Sequence, residues 1–294
     1  MSYYHGKGRK RRYFEGWYFK HQSDKTVVAF IPGVNIDSDG NKSAFVQVIT
    51  PEMSCNFLYP PQQFHASQDK LRICVAGNIF CEDGISVNLN NEIMSISGKL
   101  KYGKFNTLKR DAMGPFRFIP FMQCNHGVIS LQHEINGTLK INGNELNFDG
   151  GLGYIETDWG SSFPKSYLWM QSSSIDQKPL SIMLSIADIP LFGTSFTGCI
   201  GIVWFDNKEY SLSTYNGVKI LKYSKYSAAI RQGKYKLLID ASPNLSKRLL
   251  APSNGLMCRE IHENACCQVR SRFFINNNLL FDFENDKAGY EYVE

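Results

Sequence analysis

Turn signals at short intervals constrain this chain more than anything else in it. Asp37-Ser38-Asp39-Gly40, Glu82-Asp83-Gly84, Asn136-Gly137, Asn142-Gly143, Asp149-Gly150-Gly151, Asp206-Asn207-Lys208 and Asn216-Gly217 each close a short apolar or alternating run. Glycine, asparagine and aspartate reach positive φ at low cost, so a tight loop of them reverses the chain. A run closed in this way reads as one arm of a β-hairpin, its side chains pointing alternately to two faces. The pattern predicts strands over residues 27–36, 43–50, 74–81, 128–134, 138–141, 146–148, 166–172, 180–187, 196–205, 210–214, 218–223, 235–241, 267–275 and 279–284. Helical periodicity is nearly absent; the best helical turn is the proline-interrupted stretch 242–250. The expected fold class is therefore all-β, as two antiparallel barrel or sandwich halves, residues 1–150 and 151–294.

A chain of 294 residues buries a sizeable core without disulfides. Its 20 Phe, 15 Tyr and 4 Trp suit strands and the lining of an apolar cavity. The net charge of +5 owes part of its size to one run, Lys7-Gly8-Arg9-Lys10-Arg11-Arg12. That run reads first as a solvated tail, with peripheral contact to anionic membrane or RNA as the alternative. Nucleic acid is not expected as a partner, because no further basic and aromatic interleaving follows. The eight cysteines have no C-x-x-C pair and no histidine at ligand spacing, so no metal is expected. The N-terminus lacks the order of a signal peptide and no long apolar run occurs, so a cytoplasmic location with reduced thiols is expected.

The densest chemistry lies in Gly153-Tyr154-Ile155-Glu156-Thr157-Asp158-Trp159-Gly160 and the following Tyr167-Leu168-Trp169-Met170-Gln171. Extended, the first places Tyr154, Glu156 and Asp158 on one face, a carboxylate pair able to divide acid and base roles. The plainer reading makes them solvent-facing strand residues, with Asp158 capping the turn that follows. The second places Tyr167, Trp169 and Gln171 together, a face for a flat ring with an amide at its end, or ordinary barrel packing. An earlier strand, Phe14-Glu15-Gly16-Trp17-Tyr18-Phe19-Lys20, sets Glu15, Trp17 and Phe19 against Gly16, Tyr18 and Lys20 and could plug one end of a barrel. His126 and His133, seven residues apart, fall on opposite faces of a continuous strand and read as structural histidines. Nucleotide-binding and nucleophile-elbow motifs are missing, and no cofactor is expected.

With these residues in place the chain resembles the tocopherol cyclase-like family. The resemblance rests on Arg12-Tyr13-Phe14-Glu15-Gly16-Trp17-Tyr18-Phe19-Lys20, on Tyr154 to Gly160 with Phe163-Pro164, Trp169 and Gln171, on Tyr215-Asn216-Gly217-Val218, and on Leu250-Ala251-Pro252 with Cys258-Arg259. It implies two lipocalin-like β-barrels around an apolar cavity. In the plant enzymes a phenol oxygen adds across a side-chain double bond of a prenylated hydroquinone, which needs an acid and a dry pocket. The plant pattern Glu-Lys-Asn-Trp-Gly is replaced here by Glu156-Thr157-Asp158-Trp159-Gly160, which changes the charge balance. On this reading Asp158 is the acid and Glu156 its charged partner. Glu15, Trp17, Tyr18, Lys20, Trp159, Trp169 and Gln171 are the ligand-binding residues, and the partner is a quinol- or isoprenoid-like molecule. On this reading the protein binds that molecule and cyclises or isomerises it by proton transfer; a non-catalytic lipocalin-like carrier with the same cavity is the alternative.

Overall fold

The computed structural model describes residues 3–119, 122–174, 178–191, 193–243 and 246–294. Strands make up 68% of it and helix 4%, in two antiparallel sheets. The first sheet holds β1 (Tyr13–Gln22), β2 (Val27–Ile36), β3 (Lys42–Ile49), β4 (Ser54–Tyr59), β5 (Phe64–Ala66), β6 (Arg72–Val75), β7 (Asn78–Cys81), β8 (Gly84–Asn90), β9 (Ser95–Tyr102), β10 (Cys124–Ile141), β11 (Asn144–Asn147) and β12 (Gly151–Gly160). Its order is β4-β3-β2-β1-β12-β10-β9-β8-β7-β6-β5, with β11 on β10. The second holds β13 (Tyr167–Ser174), β14 (Leu180–Leu191), β15 (Thr194–Phe205), β16 (Lys208–Ser213), β17 (Lys219–Ser224), β18 (Ser227–Gln232), β19 (Tyr235–Ser242), β20 (Lys247–Ser253), β21 (Leu256–Ile275) and β22 (Asn278–Val293). Here the order is β16-β15-β14-β13-β22-β21-β19-β18-β17, with β20 on β21.

Both sheets curl around their own apolar core. In the first, Phe80 of β7 lies 5.4 Å from Phe19 of β1 and 6.0 Å from Phe30 of β2, although these strands are far apart in the sheet order. In the second, Tyr210 of β16 meets Tyr235 of β19 at 5.5 Å and Phe273 of β21 at 5.1 Å. The alternation of apolar residues supplies each core: Trp17, Phe19, Phe30, Phe148 and Ile155 in one, Leu168, Met170, Ile182, Phe273 and Tyr290 in the other.

The compact units are not the two halves of the sequence. One comprises residues 1–107, 124–163 and 249–260, the other 108–123, 164–248 and 261–294. Residues 151–160, assigned from the turn pattern to the second half, form β12 in the middle of the first sheet, between β1 and β10. Three local expectations are corrected. The run 74–81 is two strands, because Ala76 and Gly77 take φ of +50° and +82° and reverse the chain. Asn136-Gly137 does not turn; β10 continues through it, and Gly137 is needed because a Cβ would stand 2.3 Å from the Lys99 carbonyl oxygen. Of the stretch expected as a helical turn, 242–250, residue 242 ends β19 and residues 247–250 begin β20, while 244–245 lie outside the described residues. All eight cysteines are thiols. Among the described residues no helix is long and apolar enough to cross a membrane.

Candidate functional site

Strands β1, β12 and β10 run side by side, and their register decides which side chains meet. Opposite Glu156 stand Tyr18 and Val128; opposite Asp158 stand Gly16 and His126; opposite Tyr154 stands Lys20. One face of this ribbon therefore collects Tyr154, Glu156, Asp158, Tyr18, Lys20 and His126. The other collects Glu15, Trp17, Phe19, Ile155, Thr157 and Trp159. A central strand with both faces covered can hold an apolar core on one side and polar groups on the other, and β12 does so from Gly151 to Thr157.

On the first face the two carboxylates are joined by a histidine. His126 Nδ1 donates to Asp158 Oδ1 at 2.9 Å, and its Nε2 lies 3.6 Å from Glu156 Oε2. The buried Tyr154 hydroxyl donates to Glu156 Oε2. Burial, and then the charge of Glu156, hold that phenol protonated well above its ordinary range. Cys124 is likewise kept as a thiol, first by burial and then by Asp158. Glu156 is 4% exposed, whereas Asp158 keeps about a quarter of its side chain open at 23%. The result is a graded chain: a buried carboxylate with its phenol, an imidazole, and a partly exposed carboxylate.

The oxygen and nitrogen atoms of His126, Glu156 and Asp158 lie within 4.8 Å of one another, close enough to consider a cation. The two ring nitrogens face different carboxylates, however, and a single ion can take only one of them. That orientation suits proton transfer through the ring better than shared ligation.

The sequence pairing of Glu156 with Asp158 on one face agrees with this register. Trp17 and Trp159 do not wall that acid pair, because residues of odd and even number point to opposite faces. Trp17 is fully buried in the apolar core, against Tyr4 at 6.3 Å and Phe64 at 6.3 Å, and Trp159 stacks on His5. Glu15 belongs with these two, while Tyr18 and Lys20 share the face of the acids. Trp169 and Gln171 sit on β13 in the second unit, on the face away from its core; Gln171 Nε2 donates to Ser173 Oγ at 2.7 Å and Tyr167 donates to Glu291 at 2.5 Å. His126 was read as structural, and nothing local marks it out. Its place beside the two carboxylates comes from the pairing of β10 with β12, whose register shifts between Val128 and Ser130 and again between Ser130 and His133.

A second polar group lies at the core face. His21 Nε2 meets the Tyr102 hydroxyl at 2.6 Å, and His133 Nδ1 meets Ser130 Oγ at 2.9 Å with its ring 4.6 Å from that of Tyr102. Burial drives both histidines down to about 3.

The geometry can now be set beside known proteins. The tocopherol cyclase-like family model matches residues 81–217. The resemblance read from the motifs is borne out over that stretch, which carries Tyr154 to Gly160, Trp169 and Gln171; the Arg12 to Lys20 motif lies outside it. Among solved structures, CghA superposes with a TM-score of 0.59 at 8% identity, covering 96% of this chain and 88% of that one. A protein of Nitrosomonas europaea assigned to AttH superposes with a TM-score of 0.50 at 9% identity, covering 98% and 93%. At such identities the likeness is one of fold. No curated protein matches the sequence. The tocopherol cyclase-like match contains β10 and β12, the two strands that bring His126 to the carboxylates.

Proposed function

We propose that the protein is an acid–base enzyme of cyclase type, acting on a hydrophobic molecule that carries an alkene and a hydroxyl on an aromatic ring. The observation that carries this reading is His126 lying between a partly exposed and a buried carboxylate. Asp158, as the acid, transfers its proton to the alkene and leaves a tertiary cation. The phenol oxygen of the same molecule adds to that cation, forming the ring C–O bond. The phenol proton then returns through His126, with Glu156 balancing the imidazolium charge, so the cycle ends with Asp158 protonated again. Tyr154 holds the Glu156 carboxylate in place. The family resemblance supports both the reaction class and the choice of substrate, and an acid with a basic relay fits that chemistry.

The test is turnover of a prenylated hydroquinone. Asp158→Asn should abolish ring closure and leave binding intact, and unchanged turnover would remove Asp158 from the acid role. His126→Gln should lower kcat by about 10²–10⁴-fold with little change in binding. Tight binding without turnover in the wild type would make the protein a carrier instead. Binding followed by tryptophan fluorescence should be insensitive to salt. Affinity that collapses with salt and with loss of the exposed residues 7–12 would point to surface attraction.

A further inference from the structure

We propose that Glu15, Tyr13 and the face of Trp159 form a second binding site, for a flat ring or amidine-like group that donates an N–H, and that His5 fills it as the chain's own ligand. The site lies on the opposite face of the β1–β12 ribbon from Asp158, and neither reading depends on the other. Glu15 and Trp159 are register partners, so the carboxylate and the indole stand side by side. The carboxylate is fully buried, and the groups that serve it converge from one small region. The Tyr13 hydroxyl donates to Oε2 at 2.5 Å, the His5 backbone N–H donates at 2.9 Å to Oε2 and 3.2 Å to Oε1, and His5 Nδ1 donates to Oε1 at 2.8 Å. The imidazole lies flat on Trp159, with centroids 3.9 Å apart and planes 4° from parallel. An acceptor at the edge and an aromatic plane beneath are what a protein needs to recognise a planar N–H donor.

Two further observations separate a site from ordinary packing. A buried carboxylate costs several kcal/mol of desolvation that an apolar residue would not, so folding alone does not call for Glu15. Next on the same face, the fully buried Trp17 indole N–H has no acceptor among the described residues. Residues 3–5 lie against both. Tyr3 N–H donates to the Gln68 carbonyl at 2.9 Å, Tyr4 packs on Trp17 and Phe64, and His5 completes the contact with 24% of its side chain exposed.

The experiment uses the full chain with His5→Gly and imidazole as the probe, read by tryptophan fluorescence. The variant should bind imidazole saturably at about 1–10 mM, while the wild type shows no saturation. At a pH where both probes are uncharged, 1-methylimidazole, which has no N–H, should bind at least about tenfold more weakly, and Glu15→Gln in the same background should cause a similar loss. A folded His5→Gly chain without saturable binding, or one that does not distinguish the two probes, overturns the proposal. Should that variant not fold, hydrogen exchange of wild-type residues 3–12 decides: excess imidazole should accelerate it more than 1-methylimidazole does, and equal rates overturn the proposal.

Discussion

Tyr154 and Glu156 are both buried, and the phenol donates to that carboxylate from the same strand. Tyr154→Phe should therefore lower the unfolding free energy by about 1–3 kcal/mol, measured by urea titration, because a buried acceptor loses its donor while the ring stays. A loss much below that range would show that other groups already satisfy Glu156. His21 and His133 make a prediction of opposite origin. Their folded values, near 3, lie below the ordinary 6.5, so the unfolded chain takes up protons that the folded chain refuses. Their contribution is fully present above pH 6.5 and declines as pH falls toward 3. The urea midpoint should drop between pH 6.5 and 5, above the range where most carboxylates titrate, and a flat midpoint there would contradict the assignment. At this scale the sequence showed the acid pair and its shared face, because alternation alone places residues 154, 156 and 158 together. It did not show His126, whose partner is set by a strand pairing some thirty residues away in the chain.

Among the elements, β10 and β12 carry the most meaning and were read least well. The turn chemistry of Asn136-Gly137 is genuine, but here the glycine answers a close approach of β9 within a continuous strand. By contrast Asp206-Asn207 does turn, with φ of +50° and +61°, as its residue types suggest. Local chemistry does not distinguish the two cases; the sheet neighbours do. Gly153 on β12 has a similar role: a Cβ there would meet His133 Nε2 at 2.2 Å. Gly153→Ala should destabilise the fold by about 1–3 kcal/mol, seen as a lower unfolding midpoint, since the ring would have to move within a packed core. An unchanged midpoint would mean that His133 has room to turn.

For the whole molecule, the turn rhythm and aromatic content were enough to read an all-β chain with two sheets, since each is a property of the entire sequence. The division between units was not legible, because a chain that leaves a sheet and returns to it leaves no mark in composition. Each unit is assembled from three separated segments. A fragment ending at residue 150 lacks β12, which lies between β1 and β10 in the sheet order. It should show no cooperative urea transition and no dispersed amide spectrum, and a cooperative fragment would mean that β1 and β10 can close without it.

The two faces of the β1–β12 ribbon give residue number a meaning of its own. Even positions address the Asp158 side and odd positions the Glu15 side, so parity is the code by which one strand serves two masters. Substitutions can revise either message alone, and changes at 156 or 158 should combine additively with changes at 5 or 15. Insertion or loss of one residue within β12 would transpose both messages at once, exchanging carboxylate for indole. Along this strand, descent can spell new letters but cannot change the length of the word.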